Sequence, residues 1–339
     1  MNSVICSVFR GNLIESRHTV ECVVMDSTNK TIFSTTAKNT PYCLRSTLKP
    51  FQFAAAINSG VLETFPFSNK EIAVMCASHH GQPQHVQAVK KILKTIGLSK
   101  NDLECGFHFP LDKKSKALIH KDPKQKSAIY NNCSGKHSGI LAFLKHKNYI
   151  IKNYIKHSHP IHKHIIDYIE MIAEKKATEY AVDGCSLPTP YFPLKTLCRM
   201  YLQLVKETEK KELNIIKNAM QQHPEMVAGE RGFDSWFMKK ISNSIAKGGA
   251  EGMRAISIDT KEYGPIAMAI KVQDGNHRAS EVASIEILKK INAISNSEYE
   301  SLIKEATYTL KNLNGIKTGQ ISCEIKKQQT TQNKHEPIH

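Results

Sequence analysis

No stretch of about 18 or more apolar residues occurs in this 339-residue chain, which excludes a transmembrane helix. The opening residues MNSVICSVFRGNLIESRH carry Arg10 and Glu15 before an apolar core of signal-peptide length can build. A cytoplasmic protein is therefore expected. Cysteine pairs at C-x-x-C spacing are also missing. The 9 cysteines are scattered and odd in number, so without an export signal they do not read as a disulfide framework. Most read as small buried apolar residues, and one or two as metal ligands. Acidic residues are scarce beside basic ones: 31 Asp and Glu face 47 Lys and Arg, a net charge of +16. Yet there is no arginine-rich block and no basic repeat interleaved with aromatics. The lysines stand singly or in pairs, such as Lys90-Lys91 and Lys239-Lys240. That distribution reads as a solvated surface attracting small anions, and it counts against a nucleic-acid partner.

With 40% hydrophobic and 23% charged residues, the chain can bury a sizeable core. TVECVVMD and TIFSTTA are β-branched segments separated by STNK, a hairpin pattern. After Pro41 the pattern turns helical. LKPFQFAAAINSG has an alanine run and a stop glycine at Gly60, and Pro50 fits only a first turn. HVQAVKKILKTIG, HPIHKHIIDYIEMIAEKK and TLCRMYLQLVKETEKKELNIIKNAMQQHP carry the 3.6-residue apolar period. Strands return in MRAISIDT and GPIAMAIKVQ, followed by the helical ASEVASIEILKKINAI. No internal repeat is present. The order implies an α+β fold in one unit over 1–325. Strands from 1–42 and 250–275 would share one sheet, 43–240 would be mainly helical, and 326–339 would be a polar tail.

Ser46 and Lys49 form an S-x-x-K pair at the expected helix start. Three other pairs, Ser27/Lys30, Ser244/Lys247 and Ser301/Lys304, show how often the spacing arises by accident. Only Ser46 sits where free backbone N–H groups polarise a carbonyl. A lysine one turn on can take the hydroxyl proton when it is neutral. Serine acylases couple S-x-x-K with a later K-T-G element. Here Lys247-Gly248-Gly249 precedes a strand, and Ser78 in CASHHG supplies a second hydroxyl. The plainer alternatives are a surface lysine at a glycine turn and a turn-capping serine. Cys133, Lys136 and His137 lie together in NNCSGKHSGILA, and Cys185 follows Asp183-Gly184 in VDGCSLPTPYFPL. Two cysteines and a histidine suit zinc, though buried thiols in glycine-rich loops would read the same way. His157, His159, His162 and His164 lack a partner acid at metalloprotease spacing and read as a surface helix.

Taken in order, RSTLKPFQ, ASHHG, NNCSGKHSGILA, DGCSLPTPYFPL, HPEMVAGERGFD, AKGGAEG and IAMAIKVQDG closely resemble the asparaginase II group, the Rhizobium-type L-asparaginases. The resemblance spans about residues 5 to 295. It implies a fold similar to serine β-lactamases, penicillin-binding proteins and serine-type glutaminases, a cytoplasmic homodimer, and hydrolysis of L-asparagine. It maps serine–lysine pairs onto Ser46 with Lys49 and onto Ser78 with Lys247, Lys271 competing for the last place. It maps a zinc site onto Cys133, Lys136 and Cys185, with Asp183 placed to orient a zinc-bound water. Zinc is expected to support rather than generate the nucleophile, since the serine–lysine set already supplies one. For the substrate, Arg45 is expected at the α-carboxylate, and Glu251 or Asp183 at the α-ammonium. One departure stands out: family members read glycine-arginine where this chain has Arg231-Gly232. Glutaminase activity is the nearest alternative, because one methylene separates the substrates. A penicillin-interacting acylase lacks its S-D-N or Y-x-N here. A non-catalytic, basic zinc-binding protein is the alternative from another class.

Overall fold

β-Branched and aliphatic residues crowd the two ends of the chain, and there the computed structural model builds its main sheet. The structure describes residues 1–36, 38–206 and 208–327. Its strands are β1 (Asn2–Arg10), β2 (Leu13–Asp26), β3 (Thr31–Ser34), β4 (Pro41–Cys43), β5 (Tyr180–Val182), β6 (Pro188–Pro193), β7 (Ser244–Gly249), β8 (Met253–Thr260), β9 (Gly264–Val272), β10 (Thr309–Lys311) and β11 (Lys317–Lys327). The larger sheet runs β10-β11-β1-β2-β9-β8-β7, with β3 also paired to β2. Neighbouring strands are antiparallel throughout. N- and C-terminal strands thus share one sheet and a mainly helical segment lies between them, the α+β layout expected from the sequence.

The extents differ in four places. β7 precedes the expected C-terminal strands, and β10 and β11 follow them. The polar tail expected from residue 326 begins inside β11, which pairs through Lys327 with Asn2. A strand at the margin of a core needs apolar residues only at alternate positions, and Ile321, Cys323 and Ile325 supply them. Residues 328–339 lie outside the described residues. The helical pattern of 196–224 is two helices, Leu194–Val205 and Lys211–Gln222, because the chain turns extended at Lys206 with ψ 149°. The helical middle also holds a small sheet, β4-β6-β5.

Val20 through Met25 of β2 are buried without alternation. Helices Leu194–Val205 and His277–Lys290 both pack on β2, β8 and β9, so side chains of either parity find cover. β7 lies against the 3-10 turn Arg45–Leu48, which runs into helix Lys49–Asn58. Helix Ser134–His146 closes on helix Asn69–Met75 at Gly135. A Cβ there would stand 2.0 Å from the Val74 carbonyl oxygen, so only glycine permits the approach. These contacts bring the ends of several elements around one cavity.

Candidate active site

Pro50 enters the first turn of helix Lys49–Asn58, where its missing N–H is no loss. The turn before it makes its first bond from the Thr47 N–H to the Leu44 carbonyl at 3.2 Å. The Ser46 N–H lies ahead of that bond, among the first-turn donors that a helix leaves unpaired. Buried Tyr201 pins the turn by donating its hydroxyl to the Thr47 carbonyl at 2.7 Å. Arg45 adopts a left-handed φ of +49°, uncommon for a residue with a side chain. Its Nε donates to Asp183 Oδ1 at 3.0 Å and its N–H to Thr189 Oγ1 at 3.2 Å, and these bonds hold the strained residue in place.

Ser46 opens into a cavity of about 750 Å³ whose wall also includes Ser78, Lys247, Cys133 and Cys185. The Ser46 hydroxyl has no hydrogen-bond partner among the described residues. Lys49 is fully buried. Its Nζ donates to the Ala77 carbonyl at 2.6 Å and meets Ser78 Oγ at 2.9 Å. The bond expected from Lys49 back to Ser46 is not formed; the amine meets the Ala77 carbonyl and Ser78 instead, which leaves one of its three hydrogen-bonding positions open.

Ser78 is held from behind by its own N–H, which donates to the Val227 carbonyl at 2.9 Å. Its hydroxyl also meets Lys247 Nζ at 2.9 Å. One hydroxyl therefore joins two buried amines. It carries one proton and two lone pairs, so it can donate to one amine while accepting from the other. Lys271, the competing candidate, donates instead to the carbonyls of Glu251 and Val272.

Lys247 is anchored from the far side. Its Nζ donates to the Gly248 carbonyl at 2.6 Å and lies 3.4 Å from Asp234 Oδ2. Asp234 is buried and also accepts from the Gly248 N–H and from Arg254 Nη1, both at 2.7 Å. The Arg254 guanidinium covers the Phe233 ring at 3.7 Å. Burial, with the Lys49 charge and only partly offset by Asp234, brings Lys247 down to about 8. Burial pulls Asp234 upward, but Lys247 and Arg254 outweigh it and hold the carboxyl below its ordinary value.

At another part of the wall, Lys136 Nζ donates to Cys185 Sγ at 2.8 Å and stands 3.9 Å from Asp183 Oδ2. A hydrogen bond from the Cys133 thiol, together with Lys136, brings Cys185 down to about 5. The same thiol–thiolate bond and burial push Cys133 up to about 12. Burial alone would lower Lys136, yet the two sulfurs and Asp183 raise it. No group of three or more His, Cys, Asp or Glu side chains is gathered for a metal among the described residues. A metal here would rely on the lysine as third donor. Two sulfurs and an amine nitrogen suit zinc in kind, and the amine must shed its proton to bind.

A second cavity, about 540 Å³, shares Arg45 and Asp183 with the first and is walled by Tyr42, Tyr191, Glu251 and Lys271. The structure thus gathers Ser46, Ser78, Lys247, Cys133, Cys185, Arg45 and Asp183 on one wall, with Lys49 and Lys136 buried behind it. Glu251 and Lys271 line only the neighbouring cavity.

The chain matches the family described as L-asparaginase II over residues 6–323. It belongs to that family. Membership makes it an enzyme of the amidohydrolase kind, acting on a small molecule. No curated protein shows significant similarity to it. Among solved structures, it is similar to a class A β-lactamase from Bacteroides cellulosilyticus DSM 14838, at 13% identity, covering 86% of this chain and 94% of that one, with a TM-score of 0.43. A β-lactamase from Burkholderia ambifaria matches at 13% identity, over 82% of this chain and 96% of that one, with a TM-score of 0.40. No helix among the described residues is long and apolar enough to cross a membrane.

For this family member, sequence reasoning passed over Asp234 and Arg254, the pair behind Lys247. Asp234 closes the segment HPEMVAGERGFD, so the signal lay in that motif's last residue. The Arg231-Gly232 order also has a local cause. A Cβ at position 232 would stand 2.2 Å from the Ala228 carbonyl oxygen, so glycine is required there and arginine falls one place earlier. Of the four clustered histidines, His162 is buried and bonded to the Tyr154 carbonyl at 2.7 Å, and His159 caps helix Pro160–Ala173.

Proposed function

We propose that the protein hydrolyses L-asparagine to L-aspartate and ammonia, with Ser46 as nucleophile. The observation that carries this reading is the connected set Lys49–Ser78–Lys247 behind an unbonded serine hydroxyl at a helix start. Neutral Lys49 takes the Ser46 proton, and Ser46 Oγ attacks the side-chain amide carbon. First-turn N–H groups, that of Ser46 among them, hold the oxyanion; losing one such donor costs about 3–4 kcal/mol. The tetrahedral adduct breaks its C–N bond. The leaving nitrogen takes a proton from Lys49, which is resupplied from Lys247 through Ser78. Water then attacks the β-aspartyl ester, giving a proton through Ser78 to the now neutral Lys247; as the ester C–O bond breaks, the Ser46 oxygen takes a proton from Lys49, which releases aspartate and restores free Ser46. Zinc held by Cys133, Lys136 and Cys185 would supply a fixed positive charge that orders these loops and biases substrate placement. On the family resemblance, we place the enzyme in the cytoplasm as a homodimer.

A second reading makes Ser78 the nucleophile, favoured by its contacts to both lysines. Ammonia release from L-asparagine and L-glutamine by wild type, Ser46→Ala and Ser78→Ala tests both. The expected result is release from asparagine that Ser46→Ala abolishes, with the trapped ester on the Ser46 peptide by mass spectrometry. An ester on the Ser78 peptide supports the second reading. Comparable release from glutamine would make the protein a glutaminase-asparaginase, since one methylene is worth about 1–3 kcal/mol in a pocket. No release from either by folded protein overturns the proposal.

A further inference from the structure

An α-amino acid brings one ammonium and one carboxylate, and both lose water when they enter a cavity. Each needs a counter-charge that is not already committed. Three carboxylates stand on the wall of the larger cavity: Asp183, Asp234 and Glu281. Asp183 is bonded to Arg45 Nε at 3.0 Å and to the Gly184 N–H at 2.9 Å, with Lys136 and Cys185 close behind. Asp234 is bonded to Arg254, the Gly248 N–H and Lys247. Glu281 is different. It makes no hydrogen bond among the described residues. Its single ionic contact is a long one, 3.8 Å from Arg254 Nη2, and its side chain keeps 25% exposure. Burial raises its pKa, the mark of a carboxylate short of positive partners.

The same accounting applies to the lysines and arginines of that wall, which are Arg45, Arg231, Lys247 and Arg254. Arg45 is spent on Asp183, and Lys247 and Arg254 on Asp234. Arg231 has no ion pair or side-chain hydrogen bond among the described residues and is exposed. Three histidines share the wall. His108 is committed to the Phe109 carbonyl and the Asn132 N–H, and burial lowers His80 and His277, so those two add no lasting positive charge at neutral pH.

We infer that Glu281 and Arg231 form the subsite for the α-amino acid head, Glu281 receiving the ammonium and Arg231 the carboxylate. This rests on the amidohydrolase reading above and revises the expectation that placed Arg45, Asp183 and Glu251 in those roles. Arg45 and Asp183 already neutralise one another, and Glu251 lines the neighbouring cavity. Glu281 sits on helix His277–Lys290 and Asp183 in the loop after β5, so the cavity they share draws its carboxylates from separate elements. Simple amides, lacking the head group, would leave both charges without a partner.

The test uses purified full-length protein and three amides: L-asparagine, succinamate, which lacks the ammonium, and β-alaninamide, which lacks the carboxylate. Wild type is expected to prefer asparagine to each analogue. Glu281→Gln should lower kcat/KM for asparagine by about 10- to 100-fold while leaving succinamate nearly unchanged. Arg231→Gln should lower it by about tenfold, leaving β-alaninamide nearly unchanged. Glu281→Asp should recover part of the preference. Equal losses on asparagine and succinamate would reduce Glu281 to a structural role and overturn the inference. So would a wild type that treats succinamate as well as asparagine, though the amidohydrolase reading would survive. Ammonia from none of the three overturns both. If Glu281→Gln fails to fold, calorimetry on Ser46→Ala replaces it: L-aspartate binding more tightly than succinate supports the subsite, and equal affinity sinks it.

Discussion

Lys247 Nζ stands 2.9 Å from Ser78 Oγ, and Asp234 sits behind it at 3.4 Å. The amine is therefore aimed by a carboxylate that does not itself touch the reacting hydroxyls. With Lys247 brought down to about 8, its protonated form gives way to the neutral amine as pH rises through that value. Because Lys247 supplies a proton in the proposed cycle, kcat/KM should fall as pH rises along a limb centred near 8. Asp234 raises the lysine's pKa, so Asp234→Asn should move that limb to lower pH as well as reduce the rate. A limb that stays in place in Asp234→Asn would detach Lys247 from the rate-determining ionisation.

Ser46→Ala and Lys49→Ala should each lose about 100-fold or more in kcat, the scale expected for removing a nucleophile or its base. Both are expected to keep their circular-dichroism spectrum. Ser46 carries no bond to another side chain among the described residues, so its loss disturbs no network described there. Lys49→Ala leaves a void and frees the Ala77 carbonyl, so its melting temperature should fall below that of Ser46→Ala. Retention of more than a few per cent of turnover in Ser46→Ala would remove it from the nucleophile's place.

Cys133→Ser and Cys185→Ser should reduce zinc content measured by elemental analysis on protein purified without chelator. Chelation of the wild type is expected to lower activity together with thermal stability, because the bound ion would tie loops from two parts of the chain. Activity abolished by chelation with fold and substrate affinity intact would give the metal a direct chemical part. Unchanged metal content in Cys133→Ser would contradict its place as a ligand.

Gly135→Ala should destabilise the protein by about 1–3 kcal/mol, and by more if the helices cannot separate, since the clash is with backbone. Its Cβ would meet the Val74 carbonyl oxygen at 2.0 Å. Urea denaturation reads the loss directly. An unchanged midpoint would mean that the two helices slide apart without penalty.

Much of this architecture was legible because it rests on local periodicity. MRAISIDT matches β8 residue for residue, and GPIAMAIKVQ matches β9 to within one residue. Helix Lys49–Asn58 follows from its proline and alanine run. β11 was missed because only alternate positions are apolar and its partner, β1, lies at the other end of the sequence. The helical run 196–224 concealed a break because lysine and glutamate keep helical character through residues where the backbone departs from it. At the site, motif spacing located the serines, lysines and cysteines. It did not reveal that Lys49 turns to Ser78, because that bond is decided by the loop after Met75, brought close only by packing. Nor could spacing show which charges are already paired, and that accounting singled out Glu281 and Arg231.

The pairing of β1 with β11 has a consequence for how the protein is made. β1 leaves the ribosome long before residues 317–327, which form one of its two neighbours. During synthesis that edge stays bare, open to pairing with another nascent chain, while the rest of the sheet is already available. Ribosome-arrested chains ending before residue 317 should be cut readily by protease near β1, with protection appearing once β11 has emerged. β11 is thus the enzyme's own guard against assembling with its neighbours on the polysome.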